Sequence, residues 1–189
     1  MGLTYTKDHP NLKNDPLNDI GDFSYGPLAV ARAYGGCKLT VGKFCSFGQG
    51  IQMTYYGSHQ LTEITTYPFF AFHQDWPPVQ SKAVDGQDII VGNDVYIGNH
   101  AVVMQGSEIG DGAVIGAYSV CKTKIPPYCI AVGNHCKVIR KRFSDEHIEK
   151  LLEMKWWDWP LDKIKEHLQV ISSPDINLLY QIWQSEIKT

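Results

Sequence analysis

Two histidines have the residue type and setting to take a proton from a reacting group. His59 lies in the polar and aromatic stretch YYGSHQLTEITTYPF at residues 55–69, and His100 lies in YIGNHAVV. An imidazole with an ordinary pKa of about 6.5 is largely neutral at pH 7, so it can serve as a general base toward a hydroxyl or an amine. A loop histidine taken alone is more often an ordinary surface residue. The assignment therefore depends on the elements that position each ring.

The cysteines offer a weaker route to chemistry. There are five, an odd number with no Cys-x-x-Cys pair, which predicts neither a disulfide framework nor a zinc site. Cys45 and Cys121 fall at positions expected to face inward, where a thiol without a neighbouring base is unreactive. The seven histidines do not have the spacing of a ligand set, so no metal is expected.

Composition narrows the class of protein. The chain has 189 residues, a formal net charge of -3 and a pI of about 6.1, which predicts one domain, or one domain with an appendage, and no nucleic-acid partner. No apolar run reaches the roughly 18 residues of a membrane helix. The N-terminus lacks the apolar core of a secretory signal. With reduced thiols, these features predict a cytoplasmic protein without a membrane partner.

The segments on either side of the first histidine repeat with a period of six. From Val91 the chain divides into VGNDVY, IGNHAV, VMQGSE, IGDGAV, IGAYSV and CKTKIP. The first residue is apolar, the second is often glycine, and the fifth is small or β-branched. VGKFCSFGQGIQ from Val41 and IGDFSY from Ile20 repeat the pattern. This period predicts short strands joined by tight corners, three to a triangular coil of a parallel β-helix. Glycine is expected to provide backbone freedom at the corners.

The segment after the repeats has the pattern of helices that cover the open end of the coil. Ser144 is expected to cap a helix with apolar residues at helical spacing, and Pro160 and Pro174 are each expected to begin another. The predicted fold class is mainly β. A β-helix domain is expected over residues 1–142, with an excursion loop at about 55–88, and a helical cap over 143–189.

Several motifs together resemble the hexapeptide-repeat xenobiotic acetyltransferases, which include chloramphenicol and streptogramin acetyltransferases. The motifs are IGDFSYG, the hexads, the loop ending ITTYPF, IPPYCIAVGN and VIRKRFSDEHIEKLLEMKWWDWP, and the resemblance covers roughly residues 18–165. It implies a left-handed β-helix, a homotrimer, and acetyl-CoA bound in clefts between subunits. The expected reaction is acetyl transfer to a hydroxyl or amine of a small acceptor, such as an antibiotic.

The resemblance also implies roles for individual residues. In the family a loop leaves the β-helix, leans on the neighbouring subunit, and carries a histidine in a pattern like H-x-x-x-x-x-x-T-Y-P-F. His59 fits this pattern, so we expect it to be the general base for direct attack on the thioester, with a backbone N–H at a repeat corner stabilising the oxyanion. Tyr67 and Tyr96 are expected to contact the acceptor. His100 is the alternative base, because its segment is similar to W-I-G-G-H of the galactoside and maltose acetyltransferases.

The expected cofactor site lies in the last hexads. Gly116, Ala117 and Ser119 should line the pantetheine arm, whose amides can pair with the coil as an added strand would. The phosphates need cations, and Lys122, Lys137 and Arg140 are the candidates. Two other functions stay open at this point: an O- or N-acetyltransferase of a nucleotide-linked amino sugar in surface polysaccharide synthesis, and a β-helix scaffold without activity.

Overall fold

The computed structural model describes residues 4–32, 36–55, 59, 61–69, 76–77 and 86–187. Short strands dominate this part of the chain up to residue 141. In chain order they are β1 (Asn18–Ile20), β2 (Leu28–Ala31), β3 (Leu39–Val41), β4 (Ser46–Phe47), β5 (Ile51–Thr54), β6 (Ile89–Val91), β7 (Tyr96–Ile97), β8 (Val102–Met104), β9 (Glu108–Ile109), β10 (Val114–Ile115), β11 (Val120–Cys121), β12 (Lys124–Ile125), β13 (Cys129–Val132) and β14 (Lys137–Lys141).

The strands form three sheets that are visited in turn, as the faces of a triangular prism would be. Sheet I has the order β1-β3-β6-β9-β12, sheet II the order β14-β13-β10-β7-β4, and sheet III the order β11-β8-β5-β2. All neighbours are parallel except the β13–β14 pair, which is antiparallel. The mainly β fold predicted from the period of six, a parallel β-helix followed by helices, is confirmed.

The register shows where the repeat is regular and where it is not. Val103 pairs with Cys121, 18 residues on, which is one coil of three hexads. Ile109 pairs with Ile125, only 16 residues on, so the coil is two residues short at 121–124. The interpretation of CKTKIP as a full sixth hexad was therefore wrong, and Ile125 begins the next hexad. Gln52 pairs with Val102, 50 residues on, because the excursion loop is inserted between β5 and β6.

The first and fifth residues of each hexad fill the prism, as predicted. The stack is continuous because each inward residue lies over its equivalent in the next coil. Its members include Val41, Cys45, Phe47, Ile51, Val91, Val95, Ile97, Ala101, Val103, Ile109, Ala113, Ile115 and Cys121, all buried.

Glycine supplies backbone freedom at some corners, as predicted, at Gly50, Gly106 and Gly112, but the glycines at the second hexad position serve another purpose. A Cβ added to Gly98 would lie 2.6 Å from the backbone nitrogen of Ala117, so the second position must be bare for adjacent coils to approach. The left-handed backbone occurs instead at the fourth position, which carries Phe23, Phe44, Asp94, His100, Tyr118 and Tyr128 with φ between 52° and 64°. The left-handed backbone thus occurs two residues after the second-position glycine of the hexad.

Three corners separate the sheets, and we name them by what they carry. The Asp94 corner joins sheets I and II and includes Phe23, Phe44, Asp94, Gly112 and Tyr128. The His100 corner joins sheets II and III and includes Gly50, His100 and Tyr118. The loop corner joins sheets III and I, and there the excursion loop leaves after β5 and returns before β6. Of the predicted loop, residues 56–58, 60, 70–75 and 78–85 lie outside the described residues.

Helices follow the last strand and pack along the Asp94 corner, whereas the sequence predicted that they cover the open end of the coil. They are α1 (Asp145–Met154), a 3-10 turn (Trp156–Asp158), α2 (Leu161–Glu166), α3 (Leu168–Ile171) and α4 (Ile176–Ile187). Ser144 caps α1 as predicted, because its hydroxyl accepts the N–H of His147. The ring of Phe44 lies 5.0 Å from that of Trp156, which joins the cap to the prism. In the described part of the chain, no helix combines the length and apolarity needed to cross a membrane.

Candidate active site

His59 is held by a contact inside the loop, with a residue seven positions further along the chain. The Nδ1 atom of His59 lies 2.5 Å from the carbonyl oxygen of Thr66. A carbonyl oxygen can only accept a hydrogen bond, so Nδ1 carries the hydrogen in this arrangement. The other nitrogen, Nε2, then keeps its lone pair and can accept a proton. The geometry gives the exposed ring the tautomer that a general base needs.

The remaining residues of the TYPF motif form an aromatic cluster beside this contact. The rings of Tyr67 and Phe69 meet edge to face at 4.6 Å, and Phe69 stacks on Trp76 at 5.4 Å. The backbone N–H of Tyr67 donates to the hydroxyl of Thr65. The cluster gives the loop its own internal packing. Tyr67 is half exposed and close in sequence to the His59–Thr66 contact, whereas Tyr96 lies on the outer side of β7 in sheet II.

His100 stands at a corner of the prism and not in the loop. Its backbone is left-handed, with φ of 57°, and its side chain is exposed, as expected for the fourth hexad position. Its ring stacks on Tyr118 of the next coil, with centroids 5.0 Å apart. On the other side it lies over Gly50, where an added Cβ would be 2.3 Å from Nδ1. The ring is held by stacking along the corner.

The predicted pantetheine residues divide into two groups. Ala117 is exposed and Gly116 is half-buried at the His100 corner, where their backbone can meet a ligand. Ser119 is fully buried, and its hydroxyl accepts the N–H of Gly133 at 3.0 Å. Its side chain occupies the inward fifth position of the hexad and faces away from any ligand at the corner. Of the three residues predicted to line the pantetheine arm, Gly116 and Ala117 are therefore the two that stay candidates.

The fold brings two of the predicted phosphate-binding cations together. The N–H of Cys136 donates to the carbonyl of Val120 at 2.9 Å, which places the start of β14 beside the end of β11. Lys122 and Lys137 each lie within two residues of this contact, and both are exposed. Arg140, three residues along β14, is also exposed, and its guanidinium donates to the carbonyl of Lys141. Nearby, Lys124 is paired with Glu108 at 2.8 Å.

A cleft at the His100 corner was not predicted from the sequence. Its volume is about 460 Å³, and among the described residues it is lined by Thr4, Tyr5, His9, Tyr25, Gly26, Pro27, Phe47, Gly48, Gln49 and Asn99. The N-terminal segment closes it, because the hydroxyl of Thr6 donates to the carbonyl of Gly26 and the N–H of Thr6 to that of Ser24. Residues 4–9 carry no repeat, so only the fold reveals that they form a wall of the cleft.

The cleft and the pantetheine positions lie on one line along the prism. Gly48 lies directly over Asn99, since an added Cβ would be 2.7 Å from the Asn99 nitrogen. Gly98 lies over Ala117 in the same way, at 2.6 Å. The His100 corner therefore runs continuously from Gly48 in the cleft to Gly116 and Ala117, two coils away. We call the backbone of these two residues the predicted cofactor seat.

The buried thiol of Cys45 does not supply a nucleophile. Burial raises the pKa of Cys45 to about 12, and its thiol donates to the carbonyl of Gly92 at 3.1 Å. All five cysteines are free and buried. A thiol that stays protonated without an adjacent base is inert. Within the described ranges, no group of three or more side chains is placed to ligate a metal.

Comparisons with known proteins agree with this architecture. The family model described as bacterial transferase hexapeptide (six repeats) matches residues 88–123. Chloramphenicol acetyltransferase from Escherichia coli is 42% identical over 153 residues, which is 78% of this chain and 72% of that protein. Virginiamycin A acetyltransferase from Staphylococcus aureus is 41% identical over 184 residues, 90% of this chain and 83% of that one. The protein belongs to the hexapeptide-repeat acetyltransferases.

A solved structure of the same architecture is that of a maltose O-acetyltransferase from Clostridium difficile 630. It has a TM-score of 0.50 and 26% identity to this chain, and the match covers 68% of this chain and 61% of that one. The fold is thus the left-handed β-helix that the resemblance implied. The predicted class, an acyltransferase that uses acetyl-CoA, is confirmed by the family.

Proposed function

We propose that the protein acetylates a hydroxyl of an apolar, hydrogen-bonding small molecule such as chloramphenicol or a streptogramin, with His59 as the general base. The observation that carries this proposal is the contact between His59 Nδ1 and the Thr66 carbonyl, which leaves Nε2 free to accept a proton. Two relatives named for such antibiotics, at 42% and 41% identity, support the acceptor class.

The chemistry balances without a covalent enzyme intermediate. Nε2 of His59 takes the proton as the acceptor oxygen attacks the carbonyl carbon of the thioester. The carbon–sulfur bond breaks, and the CoA thiolate takes the proton back from the imidazolium. A general base contributes about 10²–10⁴-fold in rate. A backbone N–H at the His100 corner would stabilise the oxyanion.

The cleft at the His100 corner is the acceptor site in this proposal. Its volume of about 460 Å³ lies within the range of small-molecule sites, roughly 300–1,000 Å³. Tyr5, Tyr25 and Phe47 supply aromatic walls, and Gln49 and Asn99 supply polar groups. No lysine or arginine is among the described residues that line it. A nucleotide-linked sugar carries phosphates that require cations, so an uncharged aromatic acceptor suits the cleft better.

We further propose that each active site is shared between copies in a homotrimer. Within one chain, His59 belongs to the loop corner, whereas the cleft and the pantetheine positions belong to the His100 corner. The loop also presents Leu61 and Ile64 almost fully to solvent, at 83% and 109%. In this proposal the two side chains belong to one apolar patch, and a contiguous exposed apolar patch marks a surface that packs against another molecule. A second copy would cover them and bring His59 to the neighbouring corner. The buried, reduced cysteines support a cytoplasmic location.

The test is CoA release, measured with a thiol reagent, in a panel of acceptors. Chloramphenicol and a streptogramin A compound are compared with UDP-linked amino sugars at equal concentrations. The proposal expects acceptor-dependent thiol release with an antibiotic and a product heavier by one acetyl group. Release with an amino sugar alone would overturn the acceptor class, and hydrolysis unaffected by any acceptor would overturn the cleft assignment.

A further inference from the structure

Tyr118 is a large aromatic residue in a place where the fold does not need one. It occupies the fourth position of its hexad with φ of 58°, and its side chain is 72% exposed. The fourth positions of three other hexads hold glycine, at Gly50, Gly106 and Gly112. Glycine adopts this backbone without strain, whereas a bulky side chain there is unfavourable. A residue that is both strained and exposed adds nothing to the core, so its side chain calls for another explanation.

The ring of Tyr118 forms a ridge with that of His100. The two rings stack at 5.0 Å with an interplanar angle of 24°, across one coil spacing. Both residues come directly after a residue on the line that joins the cleft to the pantetheine positions. His100 follows Asn99, and Tyr118 follows Ala117. On the next coil the corner position is Gly50, so the ridge ends there, beside the cleft lined by Gly48 and Gln49.

We propose that Tyr118 binds the apolar part of the pantetheine arm and that the His100–Tyr118 ridge is one wall of its channel. This rests on the proposed function, because it takes Gly116 and Ala117 as the cofactor seat. The pantetheine arm carries a dimethyl group and short methylene segments between its amides. The coil backbone pairs with the amides, and the ring face of Tyr118 covers the apolar atoms. The end of the ridge at Gly50 leaves the thioester open to the cleft.

Calorimetry with CoA and with adenosine 3′,5′-bisphosphate, which lacks the pantetheine arm, tests this inference. Tyr118→Gly should weaken CoA binding by roughly tenfold and leave the Kd of the bisphosphate unchanged, since the lost contacts are those to the arm. Tyr118→Phe should bind CoA as the parent does, because the ring and not the hydroxyl makes the contact. The melting temperature of Tyr118→Gly should rise, since a strained residue is relieved.

Lys155→Gly is the matched control, because Lys155 is also left-handed, with φ of 44°, but ends α1 far along the chain. It should raise the melting temperature and leave the Kd of CoA unchanged. An unchanged CoA Kd in Tyr118→Gly would overturn the inference, as would an equal loss for the bisphosphate or a change in oligomeric mass. Failure of the parent to bind CoA would instead overturn the proposed function, so the two failures are distinguishable.

Discussion

The imidazole of His59 and the backbone of Thr66 are joined at 2.5 Å, and this contact closes a loop of polar and aromatic residues on itself. The proposed base is therefore oriented by the main chain, and a side-chain substitution at Thr66 would not remove this contact. The repeats do not take part in this contact. In the proposed function they provide the rigid corners against which the loop acts, and the loop would provide the proton acceptor.

Replacing the proposed base should separate the two histidines. His59→Ala should lower kcat by about 10²–10⁴-fold, because no positioned group then takes the proton from the acceptor hydroxyl. His100→Ala should lower kcat by less than about tenfold, because its ring is held by stacking on Tyr118. Thiol release at saturating substrates measures both. The opposite ranking would make His100 the base and contradict the role given to His59.

The close approach of coils at glycine predicts a large stability effect. Gly98→Ala places a Cβ 2.6 Å from the Ala117 nitrogen, and backbone cannot move aside as a flexible side chain can. We expect a loss of about 3 kcal/mol or more in the free energy of unfolding, measured by urea titration. Gly36→Ala is the control, because Gly36 has φ of 104° but nothing within 4 Å of an added Cβ. A smaller loss at Gly98 than at Gly36 would contradict the proposed basis of the repeat.

The corner carboxylate of Asp94 predicts a pH-dependent stability change. Burial raises the pKa of Asp94, and Asp111 adds to the rise, while Arg142 opposes it. A carboxyl group with a raised pKa binds its proton more readily in the folded state than in the unfolded state. Its contribution to stability is therefore present at low pH and lost as the pH rises through the raised pKa.

Asp94→Asn should accordingly raise the urea midpoint at pH 7, and its advantage should disappear as the pH falls toward the ordinary value of 3.8. Arg142 keeps a partner in this variant, because its guanidinium also donates to the carbonyl of Gly112 at 2.6 Å. Asp162→Asn, on the surface of α2, is the control and should not raise the urea midpoint at pH 7. A lower midpoint for Asp94→Asn at pH 7 would mean that the ion pair outweighs the effect of burial.

The two lysines beside the β11–β14 contact should act on cofactor binding. Lys122→Ala and Lys137→Ala should each raise the KM for acetyl-CoA by roughly tenfold, since a charge-assisted hydrogen bond contributes about 1.5–3 kcal/mol. The effect should shrink at high salt. Lys165→Ala, on the cap, is the control. Equal KM values for all three variants would place the phosphates elsewhere.

The sequence predicted those parts of the fold that repeat. The period of six, the inward-facing residues and the Ser144 cap each depend on a local sequence pattern. A single sequence was therefore sufficient to predict them. The shortening of the coil before Ile125 was missed because two residues are removed at a corner, where an apolar residue still falls at an inward position. The left-handed backbone was expected at glycine, and the structure has it at Gly50, Gly106 and Gly112 but also at residues such as Phe44 and Asp94.

Other features of the site depend on contacts between distant segments. The cleft arises because the chain near Thr6 folds back on Gly26, and no spacing in the sequence records that contact. Ser119 was expected to line the pantetheine arm, but the phase of the hexad turns its side chain inward. The division of the chain at residue 142, the roles of His59, Tyr67 and Tyr96, and the cations Lys122, Lys137 and Arg140 stay predictions.

The most direct test of a shared site is activity in mixed assemblies of two inactive variants. His59→Ala lacks the base, and Ala117→Arg blocks the cofactor seat, so each alone should be inactive. After joint refolding at equal amounts, random assembly of a cyclic trimer gives about one quarter of interfaces an intact His59 from one copy and an intact seat from the next. We predict recovery of roughly one quarter of the parent's thiol release. No recovery in mixtures shown to contain both chains would contradict the account, because base and seat would then have to lie in the same copy.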